Sequence, residues 1–99
     1  MVLEGMKMSQ KQLVADRSFV SENGGRGRLR YYLLSESGGL CDAFGAEVVL
    51  IRRRERQSAA VRRFTTSRRR MEDILRLLAR NTVTPCTFRE IMEDISRKS

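Results

Sequence analysis

The sequence predicts an α+β fold: an antiparallel three- or four-stranded sheet, running as a meander, followed by a C-terminal two-helix hairpin packed on one face. Three observations predict it. From Thr66 to Lys98, two amphipathic stripes at helical spacing flank the linker Asn81-Thr82-Val83-Thr84-Pro85. Phe44, Ala46, Val48 and Leu50 recur with the period of two of a strand. Asn23-Gly24, between two apolar-bearing stretches, supplies the positive φ angles of a tight hairpin turn.

A chain of 99 residues makes one domain. Residues 1–10 hold three methionines and no periodicity, and read as a disordered tail before a single domain over 11–98. At this size roughly 60–65% of the unfolded surface is buried, enough for one modest core but not for a deep catalytic cavity beside it. The hydrophobic fraction of 40% suits a globular domain. No run of eighteen apolar residues is present to span a membrane. The first residues lack the apolar core of a secretory leader, so the expected location is the cytoplasm. In that reducing compartment Cys41 and Cys86 read as two free thiols.

Taken in order, Leu13 to Val20 is a first strand and Leu29 to Ser35 a second, with apolar residues on both faces as in a central strand. Leu40 to Arg53 is the third. Its Gly45 marks a bulge or a close backbone approach. A turn at Arg54-Glu55-Arg56 leads to a fourth strand, Gln57 to Phe64, whose arginines suit a sheet edge. Thr65, Thr66 and Ser67 are candidate N-caps for a helix carrying Met71, Ile74, Leu75 and Leu78 on one face. Asn81 is read as its left-handed C-terminal residue. Pro85 suits the first turn of the second helix, Thr87-Phe88-Arg89-Glu90 has the pattern of a capping box, and Phe88, Ile91, Met92 and Ile95 form its stripe.

The net charge of +8 is concentrated. Residues 1–51 carry six basic and six acidic side chains, and residues 71–99 five of each. The whole excess lies in Arg52, Arg53, Arg54, Arg56, Arg62, Arg63, Arg68, Arg69 and Arg70, opposed only by Glu55. Such a belt can neutralise the phosphates of a nucleic acid. It can equally be the solvated face of an edge strand and a helix start. Arg68 to Arg70 in a first helical turn oppose the macrodipole, which favours an anion there. Arg68–Glu72 and Arg69–Asp73 are i, i+4 pairs that need no ligand. Phe64 is the one aromatic inside the belt, so base stacking has little support.

The strand Tyr31-Tyr32-Leu33-Leu34, the segment Phe44-Gly45-Ala46-Glu47-Val48 and the block Ala79 to Ile95, containing Asn81-Thr82-Val83-Thr84-Pro85 and Glu93-Asp94, together resemble a family of short cytoplasmic Firmicutes proteins classed as a domain of unknown function. That family shows a Tyr-Tyr-Leu strand, a Tyr-Gly-Ile-Glu-Ile strand and an Asn-x-Val-Thr-Pro-x-x-Leu…Glu-Asp block. The likeness covers roughly residues 12–96 and implies the same fold, with no activity attached. Here Phe88 stands where the family often has Leu, and the chain is basic where many members are acidic or neutral.

Catalytic chemistry has little to build on. The chain has no histidine, so Cys86, at a helix start, has no base to activate it and reads as a small, partly buried core residue. Two cysteines and no spaced carboxylate loop do not make a metal site, and no cofactor is expected. Gly24-Gly25-Arg26-Gly27 precedes a strand, not a helix, and so is no phosphate loop. A DNA-reading role for the helical pair is opposed by Glu90, Glu93 and Asp94 on the second helix. The expected function is therefore that of a small non-enzymatic cytoplasmic protein-binding or regulatory module. Tyr31, Tyr32, Val49 and Ile51 are its candidate contacts, on whichever sheet face the helices leave open, for a protein partner or a second copy. The alternative is phosphate-backbone binding through the belt Arg52–Arg70.

Overall fold

The computed structural model describes residues 8–20, 24–37 and 39–98. Within it run β1 (Met8–Val20), β2 (Arg26–Ser37), β3 (Ala43–Arg52), β4 (Arg56–Thr65), α1 (Arg68–Arg80) and α2 (Pro85–Lys98). The strands form one antiparallel meander in the order β1-β2-β3-β4, so the expected α+β class holds, with four strands.

Opposed residues on paired strands share a face. The rows Gln12–Leu33–Ala46–Val61 and Ala15–Tyr31–Val48–Ala59 therefore lie on one face, which the helices cover. Leu29, Tyr31, Leu33, Phe44, Ala46, Val48 and Leu50 form a single core with Met71, Ile74, Leu75 and Leu78 of α1 and Phe88 and Met92 of α2. Helices of 13 and 14 residues are marginal alone in water, so this shared burial is what holds them. The two helices lie on the sheet rather than on each other: no Cα of α1 comes within 8 Å of a Cα of α2.

β1 begins at Met8, inside the stretch expected to be a tail. Backbone pairing with the far end of β2, Met8 opposite Ser37, accounts for this without any apolar pattern. The expected Asn23-Gly24 turn falls partly outside the described residues. Gly24 itself has φ +82°, the left-handed conformation that glycine adopts freely. Between β3 and β4, Arg52 and Glu55 exchange backbone hydrogen bonds of 2.9 and 3.3 Å. The turn is thus Arg53-Arg54, one residue earlier than the expected Arg54–Arg56. No glycine or proline fixes the position, so the apolar register of the strands decides it.

The bulge expected at Gly45 is present. The β3–β4 register shifts between Phe44 and Ala46, and Arg63, on the opposite strand, has φ +52°. A Cβ at Gly45 would collide with the Val61 carbonyl oxygen and stand 2.9 Å from the Arg62 Cα.

Of the three candidate caps, Ser67 is the one used: its Oγ accepts from the Arg70 backbone N–H at 3.2 Å. At the other end of α1, Asn81 is not left-handed (φ −93°). That conformation belongs to Thr82, at φ +52°. Val83 is buried and its N–H returns to the Leu78 carbonyl at 3.0 Å, so the reversal must occur one residue before it. A β-branched residue is costly at positive φ. Thr82→Gly should therefore raise the unfolding free energy by about 0.5–1 kcal/mol, after allowing for glycine's larger unfolded-state entropy. The check is the urea midpoint, and an unchanged or lower value would show that Thr82 is not strained.

Pro85 opens α2 as expected, but the expected capping box at Thr87 and Glu90 does not start the helix. The Phe88 N–H bonds the Thr84 carbonyl at 3.0 Å, which makes Thr84 the boundary residue. Thr87 lies inside the helix, with its hydroxyl donating to the same carbonyl at 3.4 Å. Proline at the first helical position needs no N–H partner, so the helix begins a turn earlier than the Thr-x-x-Glu pattern implies.

Candidate functional site

The nine belt arginines do not form one surface. The two-residue turn places Arg53 and Arg54 at one end of the sheet, while β4 carries Arg62 and Arg63 toward the other, where α1 starts. At that second end Arg62, Arg63 and Arg68 are engaged. Arg62 and Arg63 approach Glu36 at 3.8 and 3.7 Å. Arg68 pairs with Glu72 at 3.3 Å, donates to Gln12 at 2.7 Å and lies 6.0 Å from the Phe44 ring centroid. The expected Arg69–Asp73 pair is not formed; Asp73 instead meets Arg76 at 3.4 Å, one turn further from the cationic helix start.

The turn end is different. The register sets Arg26 opposite Val20, and Arg52 opposite Gly27. The starts of β2 and β4 thus lie beside the end of β3. Gly24, Gly25, Arg26, Arg52, Arg53, Arg54 and Glu55 line one open concavity there. Arg26, Arg52, Arg53, Arg54 and Arg56 have no ion pair among the described residues. The Arg52 guanidinium lies 5.7 Å from the Phe19 ring centroid, held over the sheet rather than drawn to a carboxylate.

This end also projects. The Tyr31 hydroxyl donates to the Val83 carbonyl at 2.8 Å, so the linker between the helices lies over Tyr31. Gly27, in the Arg52 row, is about 13 Å further along β2 at the usual strand rise. Arg26 lies outside the belt Arg52–Arg70, 26 positions from Arg52 in the chain. A meander that pairs β2 with β3 is the signal that brings the two together.

The sheet face away from the helices corrects the partner-contact set. Tyr31 is not on it. That side chain is fully buried under the helices, and burial, partly opposed by Arg17, pushes its phenol up to about 12, so it remains a hydrogen-bond donor at neutral pH. Val49 does lie on the open face, in the row Asp16–Arg30–Val49–Ser58, yet it is 1% exposed and has no surface to offer. Tyr32 and Ile51 are half-buried there. Ion pairs roof the face: Lys11–Glu47 at 2.9 Å, with the Lys11 ammonium 4.6 Å from the Tyr32 ring centroid, and Asp16 between Arg28 and Arg30 at 2.8 and 3.6 Å. The alternation of the strands placed Tyr31 and Tyr32 on opposite faces, but only the helix position decides which is covered.

Both cysteines are unpaired and exposed, which corrects the expectation that Cys86 is partly buried: as the second residue of α2 it points away from the Phe88–Met92 face. Among the described residues no three His, Cys, Asp or Glu side chains gather as a metal site would require. No helix among the described residues is long and apolar enough to cross a membrane.

A model of a family of unknown function (DUF6514) matches residues 10–98 of the chain. No curated protein and no solved structure matches it.

Proposed function

Because the chain belongs to this family of unknown function, its own geometry has to supply the reading, and we propose that it is a small non-enzymatic module that binds the phosphate backbone of a nucleic acid through the turn end of its sheet. One observation carries this reading: Arg26, Arg52, Arg53 and Arg54 line a single open concavity, with Glu55 the one acid lining it among the described residues. Arginine suits the task, since its planar guanidinium donates two parallel hydrogen bonds to a phosphate. Contacts to phosphate carry no sequence information by themselves, so the binding we propose is sequence-independent.

The cytoplasm remains the proposed location, supported by two exposed unpaired thiols that suit a reducing compartment. A protein partner is the second reading. Tyr31, buried under the helices, and Tyr32, Val49 and Ile51, on a face roofed by ion pairs, do not support it; the helical side of the molecule is the surface that favours it.

The test is binding to a generic DNA duplex across a salt series. Changing Arg26, Arg52, Arg53 and Arg54 to Gln should flatten the dependence of log K on log salt by about 0.9 for each phosphate that is no longer neutralised. Arg62→Gln with Arg63→Gln should change it little, since those side chains already face Glu36. Equal behaviour of the two variants, or wild-type binding indifferent to salt, would reject the reading.

A further inference from the structure

The separation of the helices leaves a groove of about 480 Å³ on the side away from the sheet, lined by Ser67, Arg69, Arg70, Asp73, Ile74, Leu77 and Ile95. Its middle is apolar. Ile74 belongs to the core, Ile95 is half-buried, and Leu77 is 47% exposed. One end is cationic. Arg69 and Arg70 have no ion pair among the described residues, while Asp73, the acid in the groove, is already paired with Arg76. Both arginines also sit in the first turn of α1, which contains no acid and where the helix dipole disfavours positive charge. The groove thus combines an apolar strip with an uncompensated positive end.

We propose that this groove docks an acidic amphipathic helix from another protein, with the helix's apolar residues on Ile74, Leu77 and Ile95 and its carboxylates at Arg69 and Arg70. The docking we propose is of the helix-in-groove kind, in which apolar anchors spaced three and four residues apart lie along a cleft. Carboxylates fit the positive end twice over, pairing with the guanidinium groups and relieving the dipole conflict at the start of α1. An apolar segment without acids would leave Arg69 and Arg70 beside it with no gain. A basic segment would be repelled. The residues are separate from those at the turn end, so this proposal stands or falls independently of nucleic-acid binding.

The probe is a synthetic 18-residue peptide with leucines at i, i+3, i+4 and i+7 and glutamates over one half, tested by fluorescence anisotropy against the full chain. Its control carries lysine at every glutamate. The acidic peptide should bind at least about tenfold more tightly than the basic one. Leu77→Gln should weaken the acidic peptide by about tenfold or more, and Arg69→Gln with Arg70→Gln should remove most of the preference for acid. Far-UV circular dichroism must show each variant folded; the arginine pair, being exposed, serves if Leu77→Gln is not. Changing Arg53 and Arg54 to Gln should leave peptide binding unaltered. The proposal is overturned if neither peptide binds, if both bind alike, or if the loss follows Arg53 and Arg54 instead. It is also overturned if the wild type self-associates through this face, shown by a dimer that Leu77→Gln dissociates, because the occupant would then be a second copy.

Discussion

Phe88→Ala should lower the unfolding free energy by about 3–5 kcal/mol, the usual cost of emptying a large buried aromatic site. Phe88 is completely buried, and α2 buries only that residue and Met92, whereas α1 buries five. Half of the fully buried anchorage of α2 would therefore go with one substitution. A domain of this size has about 5–15 kcal/mol in total, so a large part of its stability is at stake. Urea unfolding followed by circular dichroism gives the loss. Hydrogen exchange should show α2 opening before the sheet, because α2 lies on β3 and β4 and makes no close backbone approach to α1. Phe88→Leu keeps most of the volume and should cost less than about 1.5 kcal/mol. A loss below about 1 kcal/mol for the alanine variant would mean that α2 is not docked as described.

Gly45→Ala should destabilise by about 3 kcal/mol, at the upper end for overpacking. The obstruction is backbone, not a side chain that can swing away: the new Cβ would meet the Val61 carbonyl oxygen and the Arg62 Cα. Relief requires β4 to move off β3 at the bulge, which breaks the geometry that holds Arg63 at φ +52°. Changing Gly24, which has nothing within 4 Å of a built Cβ but has φ +82°, should cost only the conformational term, about 1 kcal/mol. The contrast between the two glycines, measured by thermal or urea unfolding, separates steric from conformational cost. Equal losses would show that the close approach at Gly45 is relieved at little expense.

Most of the architecture was legible in the residues. The period-two run Phe44, Ala46, Val48, Leu50 faces the helices, Gly45 marks the bulge, Ser67 caps α1 and Pro85 opens α2. The errors lay where local pattern was silent or ambiguous. Met8 to Gln12 forms a strand because β2 offers it a partner, although no apolar alternation announces it. Thr82 takes the left-handed conformation in place of Asn81 because Val83 has to reach the core, and burial of Val83 outweighs the intrinsic preference of asparagine.

The candidate sites were less legible for the same reason. Local spacing sufficed to establish which side chains share a strand face or a helix stripe, because those periods are properties of the backbone. It also located the excess charge in the chain. Which arginines meet was decided by the register of four strands. Arg26 joins Arg52, Arg53 and Arg54 through the pairing of β2 with β3, while Arg62, Arg63 and Arg68 are drawn to Glu36 and Glu72. Which tyrosine is hidden was decided by where the helices lie: Tyr31 beneath Val83, Tyr32 outside. Contacts between residues distant in the chain depend on how its elements pack, and only the tertiary structure contains that information.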